Sequence, residues 1–350
     1  MPSKKVVAAL SGGVDSSVAA ALLKQQGYEV IGVTLRLWTD PARQPASDSV
    51  AAAQQAAEAL KIPLHVVDIA GQFRQEIVQF FLNGYARGVT PNPCVRCNRL
   101  VKWGVLLGEA EKLGADYLAT GHYARKRQME DGRWQLLRAV DKSKDQSYVL
   151  HVLTQAKLGR AIFPVGEFPK AKIRDLARNL GLPAATRRES QDLCFLAGED
   201  YRDFIRRNAP GIAQPGPILD RQGRHLGEHK GLAYYTIGQR KGLNVPSPVP
   251  LYVLAKDPAA NSLVVGVEEE LGTRTLTAVE VNWIAGEPPA RQFHAQVKTR
   301  YTAREAPAEI EVLAENRVEV RFEALQRDIT PGQAAVFYEE DLLLGGGTIL

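Results

Sequence analysis

The sequence predicts an α/β protein in three parts: a domain built on a parallel sheet, a small central domain, and a C-terminal β-barrel. Three observations predict it. Apolar strand-like runs alternate with helical runs from Lys5 to Thr120, a glycine-rich loop joins the first of each, and short alternating runs fill the chain after Leu276. A length of 350 residues fits two or three domains. Shifts in composition place the parts at 1–207, 208–272 and 273–350.

The elements follow in order. Lys5–Leu10 (KVVAAL) reads as a buried strand and Val14–Gln26 as a helix closed by Gly27. Tyr28–Leu37 is a second strand and Pro63–Asp68 a third, separated by the alanine-rich helix Ser49–Leu60, which Asp48 or Ser49 caps. Gln72–Tyr85 and Leu100–Leu113 read as helices, and Ala115–Thr120 as a strand running into Gly121-His122-Tyr123. Strands alternating with helices form a parallel sheet, which binds ligands beyond the carboxyl ends of its strands. Ser11–Ser17, Leu35–Trp38 and Gly121–Tyr123 fall there. Lys170–Gly181 is one more helix, and from about Pro210 glycine and proline punctuate short runs (LYVLAKD, SLVVGV). The runs AVEVNWI, FHAQVKTRY, RVEVRFE, QAAVFYE and LLLGGGTIL then alternate as barrel or sandwich strands do.

A composition of 45% hydrophobic and 24% charged residues excludes a disordered chain. Met-Pro-Ser-Lys-Lys runs straight into a strand too short for a signal peptide, and no stretch approaches the roughly 20 apolar residues of a membrane span. A cytoplasmic protein with no membrane partner is the expectation. The net charge of +5 favours a polyanion such as RNA. Three cysteines do not make a disulfide framework. In a reducing compartment, a CxxC (Cys94, Cys97) with a lone Cys194 points to catalysis or metal binding.

Ser11-Gly12-Gly13-Val14-Asp15-Ser16-Ser17 sits between strand and helix. Its glycines allow a tight turn and close approach of a ligand. The unpaired N–H groups and the dipole at the helix start favour an anion, and the hydroxyls of Ser11, Ser16 and Ser17 add donors. The loop lacks the Gly-Lys-Ser/Thr ending of a Walker A loop.

Cys94 and Cys97 lie in Thr90-Pro91-Asn92-Pro93-Cys94-Val95-Arg96-Cys97-Asn98, where two prolines predict an extended loop. Arg96, Arg99 and Lys102 make this neighbourhood cationic, which lowers a thiol pKa. Cys194 lies in SQDLCF; a small buried hydrophobe is the bland reading of it.

SGGVDSS resembles the PP-motif of the ATP pyrophosphatase superfamily, whose members adenylate a carbonyl oxygen and let a nucleophile expel AMP. TPNPxxxCN, Gly121-His122-Tyr123-Ala124, Lys144-Asp145-Gln146-Ser147-Tyr148, SQDLCF and Tyr235-Thr236-Ile237-Gly238-Gln239-Arg240 follow it in order. With these motifs the chain resembles, from Lys5 to its end, the bacterial and mitochondrial tRNA-specific 2-thiouridylases, the MnmA family. The resemblance implies an ATP pyrophosphatase domain that converts the wobble uridine (position 34) of tRNAs for Lys, Glu and Gln to 2-thiouridine, with ATP, magnesium, and a sulfur donor protein or sulfide. It implies that Ala9, Leu10, Ser11, Gly12, Gly13, Val14, Asp15, Ser16, Leu35 and Gly121 hold ATP. It implies Cys97 as nucleophile, Cys194 as persulfide carrier, and Asn92, Pro93 and Cys94 at the target base. His122, Lys144, Asp145, Gln146, Arg300, Tyr301 and Gln333 would touch tRNA. Either a Cys194 persulfide attacks C2 and Cys97 then frees the product by forming a disulfide, or Cys97 first releases hydrosulfide.

One departure stands out: many family members carry Asp where this chain has Cys94. Cys94, Cys97 and Cys194 then form a three-thiol set that could hold a [4Fe–4S] cluster with one iron open, as related thiolases do; zinc, with His122 as fourth ligand, is a weaker alternative. Elsewhere His65 and His151 read as packing residues, Trp38 as a cap on the core, Tyr234 and Tyr235 as core or base-stacking residues, and Arg187-Arg188 as a phosphate holder or a solvated loop. The PP-motif alone also permits an amide-forming ligase, which would not require Cys97 and Cys194. A non-enzymatic RNA-binding protein with a dead nucleotide site is the other rival.

Overall fold

A computed structural model describes residues 4–42, 49–187, 193–314, 316–327 and 329–350. Asp48, Arg188 and Ser190–Asp192 of the SQDLCF motif lie outside the described residues. In the first part, β1 (Lys5–Ala9), β2 (Glu29–Arg36), β3 (Leu64–Asp68) and β4 (Tyr117–Ala119) pair in parallel in the order β3-β2-β1-β4, and the short strand Ala161–Ile162 extends β4. Val6 and Val7 of β1 are both fully buried although they point to opposite faces, as a central parallel strand requires. Helices α1 (Val14–Gln25) and α2 (Ser49–Leu60) cover one face through Ala20, Leu23, Ala53 and Ala57. β3 is the sheet's edge, so His65 is exposed rather than packed as the sequence suggested. His151 is buried, with its Nδ1 2.7 Å from the Tyr148 carbonyl oxygen.

The central region forms a four-stranded sheet in the order Tyr252–Asp257, Ser262–Gly266, Gly216–Leu219, His225–His229. Its core holds Ile218, Leu243, Val253 and Tyr235, so Tyr235 is a packing residue. Tyr234 is half-buried, beneath the Arg206 guanidinium. Trp38 does cap a core, edge-on to Phe204.

The C-terminal strands Thr273–Trp283, Arg317–Gln326, Ala306–Ala314, Gln292–Lys298, Ala334–Glu339 and Leu342–Ile349 run antiparallel, and the first pairs with the last to close a barrel. The sequence did not foreshadow what attaches to it. A hairpin from the first part, Ala124–Gln128 and Trp134–Arg138, joins the barrel sheet through Leu342↔Leu137 and Leu343↔Leu136. One continuous core therefore runs from Trp103, Leu118 and Leu136 to Val336, Tyr338 and Leu343. Arg138, buried at this seam, pairs with Glu305 at 2.7 Å and lies 3.6 Å from the centre of the Tyr338 ring.

Leu343 is 1% exposed in that shared core. Leu343→Ala should cost about 2–5 kcal/mol and weaken both parts together. Hydrogen exchange will test this: unchanged protection in β1 and β4, with loss confined to the barrel, would contradict the shared core.

Candidate active site

The phosphate loop lies at the carboxyl end of β1. Gly13 occupies the cap of α1 and offers no side chain, so the helix-start N–H groups are not consumed by a side-chain cap. Gly12, at φ +73°, has the backbone conformation that favours glycine, and a Cβ there would meet the Ala52 Cβ at 2.4 Å. Ser16 Oγ accepts from Ser11 N at 3.2 Å and donates to Gly13 O at 3.1 Å, closing the loop on itself. Ser17 Oγ donates to the Gly13 carbonyl at 2.9 Å and is fully buried, so it braces the backbone instead of facing a ligand. Gly121, at the end of β4, lets the chain press against this loop: a Cβ there would stand 2.7 Å from Ser16 N.

Asp15 is held tightly. Lys170 Nζ donates to both its carboxylate oxygens at 2.6 and 2.8 Å, and Tyr123 OH donates to Oδ1 at 2.8 Å. Sequence reasoning missed this brace, because Lys170 is 155 positions away and sits in no motif. Arg187 Nη1 donates to Gly12 O at 3.3 Å, which ties it to the loop.

These residues bound a cavity of about 290 Å³. Ala9, Leu10, Ser11, Gly13, Asp15, Ser16, Leu35 and Gly121 line it; Gly12 and Val14 do not, being turned into α2 and the core. Its other wall is made by Cys97, Val101, Lys102, His122 and Gln146. The phosphate loop and Cys97 thus share one cavity.

The extended loop expected around the prolines is a helix. Asn92 caps it, its Oδ1 accepting from Val95 N at 3.2 Å, and Pro93 opens the segment Pro93–Cys97. Proline suits the first turn of a helix because its missing N–H would be unpaired there anyway. The helix passes into a π-helical stretch, Asn98–Val105, and then Leu106–Lys112.

All three cysteines are reduced; Cys94 and Cys194 keep solvent contact and Cys97 is half-buried. The expectation of lowered thiol pKa values is overturned. Surrounding protein raises all three, and Cys194 is pushed up to about 12 by burial, then by the nearness of Cys97 and Cys94. The physical reason is that the nearby arginines are spent elsewhere: Arg96 on Glu76 at 2.6 Å and Arg99 on Glu280 at 3.4 Å. Lys102 alone among those three cations opposes the rise. Phe195 and Leu196, which follow Cys194, share a core with Val101, and Leu193 and Cys97 pack against it, so the fold brings Cys194 to the Cys94–Cys97 helix.

Residues 4–198 match the tRNA methyl transferase HUP domain family, 202–267 the tRNA methyl transferase PRC-barrel domain, and 273–349 the aminomethyltransferase beta-barrel domain. The chain is 47% identical to the tRNA-specific 2-thiouridylase MnmA of Chloroflexus aurantiacus, covering 98% of each chain. It is 47% identical to the MnmA of Magnetococcus marinus over 99% of each, and to that of Moorella thermoacetica over 97% of this chain and 98% of the relative. The chain belongs to the MnmA family.

The residues to which the MnmA resemblance gave tRNA contacts divide in this structure. Tyr301 is exposed, its hydroxyl donating to Asp145 O at 3.2 Å, and Lys144 is half-buried. The remaining five are also held by partners within the fold. Asp145 accepts from Ala139 N, Ser147 N and the Ser147 hydroxyl. Gln146 Oε1 accepts from Tyr123 N at 3.0 Å. Arg300 donates to Ile237 O at 3.2 Å and to Thr330 Oγ1, joining the central sheet to the barrel. Gln333 donates to Thr90 O at 2.9 Å. His122 is buried, between Thr120 Oγ1 at 2.8 Å and Lys102 Nζ at 3.0 Å.

Two predictions follow from the electrostatics. With a pKa near 12, Cys194 is a neutral thiol at pH 8. Its alkylation should speed up about tenfold per pH unit from pH 8 to 11; mass-spectrometric labelling that plateaus below pH 9 would contradict this. Asp15→Ala leaves the buried Lys170 without its carboxylate. It should cost about 2–3 kcal/mol, read as a fall in Tm that Asp15→Ala/Lys170→Met partly reverses. A Tm unchanged in the single variant would show that the pair does not brace the loop.

Proposed function

We propose that this protein is an ATP-dependent tRNA-uridine 2-sulfurtransferase. It adenylates the C2 oxygen of the wobble uridine at position 34 and replaces that oxygen with sulfur, giving 2-thiouridine, AMP and pyrophosphate. The observation that carries this reading is the single cavity walled by the phosphate loop on one side and Cys97 on the other. Membership of a family whose relatives bear the 2-thiouridylase name supports it. The domain families bear methyltransferase names, but methyl transfer would leave the clustered thiols beside a phosphate loop without a task.

The two sides of the cavity have different work. Ala9–Ser16, Leu35 and Gly121 hold ATP, with Gly12 and Val14 shaping the loop from behind. Asp15 braces the loop through Lys170, and magnesium accompanies the nucleotide phosphates. Asn92, Pro93 and Cys94 lie where the target base enters, and Tyr301 and Lys144 face the tRNA. Cys194 carries sulfur as a persulfide, its outer sulfur passed on by thiol exchange from the persulfide of a donor protein. Its resting thiol is protonated; the persulfide is more acidic than the thiol and ionises more readily.

The terminal persulfide sulfur attacks C2 and AMP leaves. The Cys97 thiolate then attacks Cys194 Sγ, the S–S bond breaks, C2=S forms, and a Cys97–Cys194 disulfide remains for a thiol reductant. Release of hydrosulfide by Cys97, followed by its attack on C2, uses the same residues. The structure does not favour a metal centre. Among the described residues no group of three or more His, Cys, Asp and Glu is placed to hold a metal ion, and His122 is committed to Thr120 and Lys102. The thiols as they stand fit neither a [4Fe–4S] cluster nor zinc. No helix among the described residues is long and apolar enough to cross a membrane. We place the enzyme in the cytoplasm, acting on tRNAs for Lys, Glu and Gln, with domain breaks near 207 and 272.

Undermodified tRNA incubated with ATP, magnesium and a persulfide-bearing sulfur donor should yield 2-thiouridine by nucleoside mass spectrometry, with AMP and pyrophosphate as the nucleotide products. Cys97→Ala and Cys194→Ala should abolish it, and Cys94→Ala should retain most of it. ADP and phosphate as the main tRNA-dependent products would overturn the adenylation. Loss of activity in Cys94→Ala, together with an iron–sulfur absorbance after anaerobic reconstitution of the parent protein, would replace the persulfide route with the cluster.

A further inference from the structure

We infer that Lys102 is a catalytic residue of the adenylation step, a fixed cation that neutralises the α-phosphate as the uridine oxygen attacks it. This rests on the function proposed above. The first observation is position. Among the described residues, Lys102 is the one lysine or arginine lining the cavity that also holds the phosphate loop and Cys97. The C2 atom of the base must come within reach of the sulfur chemistry at Cys97, while its O2 must reach the phosphorus of a nucleotide bound at Ser11–Ser16. The reacting phosphorus therefore lies between the two, and Lys102 is on the Cys97 side of that gap.

The second observation is how the side chain is brought there. In an α-helix, residues five apart are about 140° apart around the axis. The stretch Asn98–Val105, which starts directly after Cys97, is π-helical. Bonding from i to i+5 turns residues five apart toward one face. Cys97 and Lys102 consequently line the same cavity.

The third observation is how the charge is held. An ammonium has donors only, so in the 3.0 Å contact between Lys102 Nζ and His122 Nε2 the ring nitrogen must accept. The imidazole proton is then on Nδ1, directed at Thr120 Oγ1 at 2.8 Å. His122 is neutral, and its burial and the adjacent ammonium both hold its pKa well below the usual value. A neutral imidazole orients Lys102 without cancelling its charge. The carboxylate on the cavity wall, Asp15, is engaged by Lys170 and Tyr123. The positive charge of Lys102 thus remains for a ligand, and His122 is a positioning residue for it.

The step balances as follows. Uridine O2 forms a bond to the α-phosphorus, the bond from that phosphorus to the bridging oxygen breaks, pyrophosphate leaves, and the N3 proton passes to water. Lys102 neither gains nor loses a proton. Fixed donors aimed at developing charge are worth about 10²–10³ in rate.

The test uses the full-length enzyme, tRNA-dependent formation of AMP and pyrophosphate, and both diastereomers of ATP bearing sulfur on the α-phosphate. Lys102→Met should lower kcat about 100-fold or more with little change in KM for ATP, and Lys102→Arg should recover part of it. The wild-type preference between the two diastereomers should shrink in Lys102→Met, which loss of packing alone would not cause. If Lys102→Met folds poorly, Lys102→Gln, which keeps a polar side chain, is read in the same way. A kcat within threefold of wild type, or a loss confined to KM with the diastereomer preference intact, would overturn the assignment of Lys102. A wild-type enzyme that forms no AMP and pyrophosphate would overturn the proposed function itself.

Discussion

The placement of the thiol-bearing helix against the phosphate loop depends on a hydrogen-bonded clasp at Thr90. Thr90 N donates to Pro331 O at 2.9 Å, and Gln333 Nε2 donates back to Thr90 O at 2.9 Å. Gly332 completes the clasp, since a Cβ there would stand 2.9 Å from the Thr90 carbonyl oxygen. Two residues further on, Asn92 caps the helix that carries Cys94 and Cys97. The barrel therefore fixes where that helix begins, and the parallel sheet fixes where the phosphate loop ends. The distance between nucleotide and thiol is set jointly by domains that the sequence places at opposite ends of the chain. Tyr148 and the core shared with Val336, Tyr338 and Leu343 make the arrangement stiff.

Charge in the site is distributed with the same economy. Arg96, Arg99 and Lys170 are close in sequence or in space to the reacting groups, yet each is matched by a carboxylate: Glu76, Glu280 and Asp15. Lys102 is matched by a neutral ring instead. Burial outweighs the one countering cation, Lys102, and raises the thiols, which suits groups that must not oxidise before the substrate arrives. An environment that lowered all three pKa values would have made the set reactive continuously, including toward one another.

Much of this was legible from residues alone, and the failures have physical causes. The phosphate loop could be read because a glycine turn between a buried strand and a helix has few other uses. The π-helical stretch could not, since nothing in CNRLVKWGVL distinguishes i+5 from i+4 bonding. The Pro93 helix was misread because proline marks extended chain and helix starts equally, and only the Asn92 cap separates them. The hairpin of Ala124–Gln128 and Trp134–Arg138 was missed because ARKRQ is mostly charged, and its pairing is decided by a barrel strand some 200 residues away. Arginine neighbours on the sequence were assumed to act on the thiols; their actual partners, Glu76 and Glu280, are set by the tertiary fold.

The geometry also dictates a direction of entry. The cavity of about 290 Å³ is at the small end of ligand pockets. Under the proposed function the base approaches from the side where Cys94 and Cys194 are exposed and Tyr301 is 43% exposed. Tyr301 also stacks edge-on against Tyr148, and its hydroxyl donates to the Asp145 carbonyl oxygen at 3.2 Å. A flipped base needs a stacking surface to offset what it loses on leaving its neighbours, and under the proposed function the exposed Tyr301 ring is the one offered to it. Nucleotide from behind and base from in front meet at the Cys97–Lys102 face, the place where an oxygen must be activated and a sulfur delivered to the same carbon.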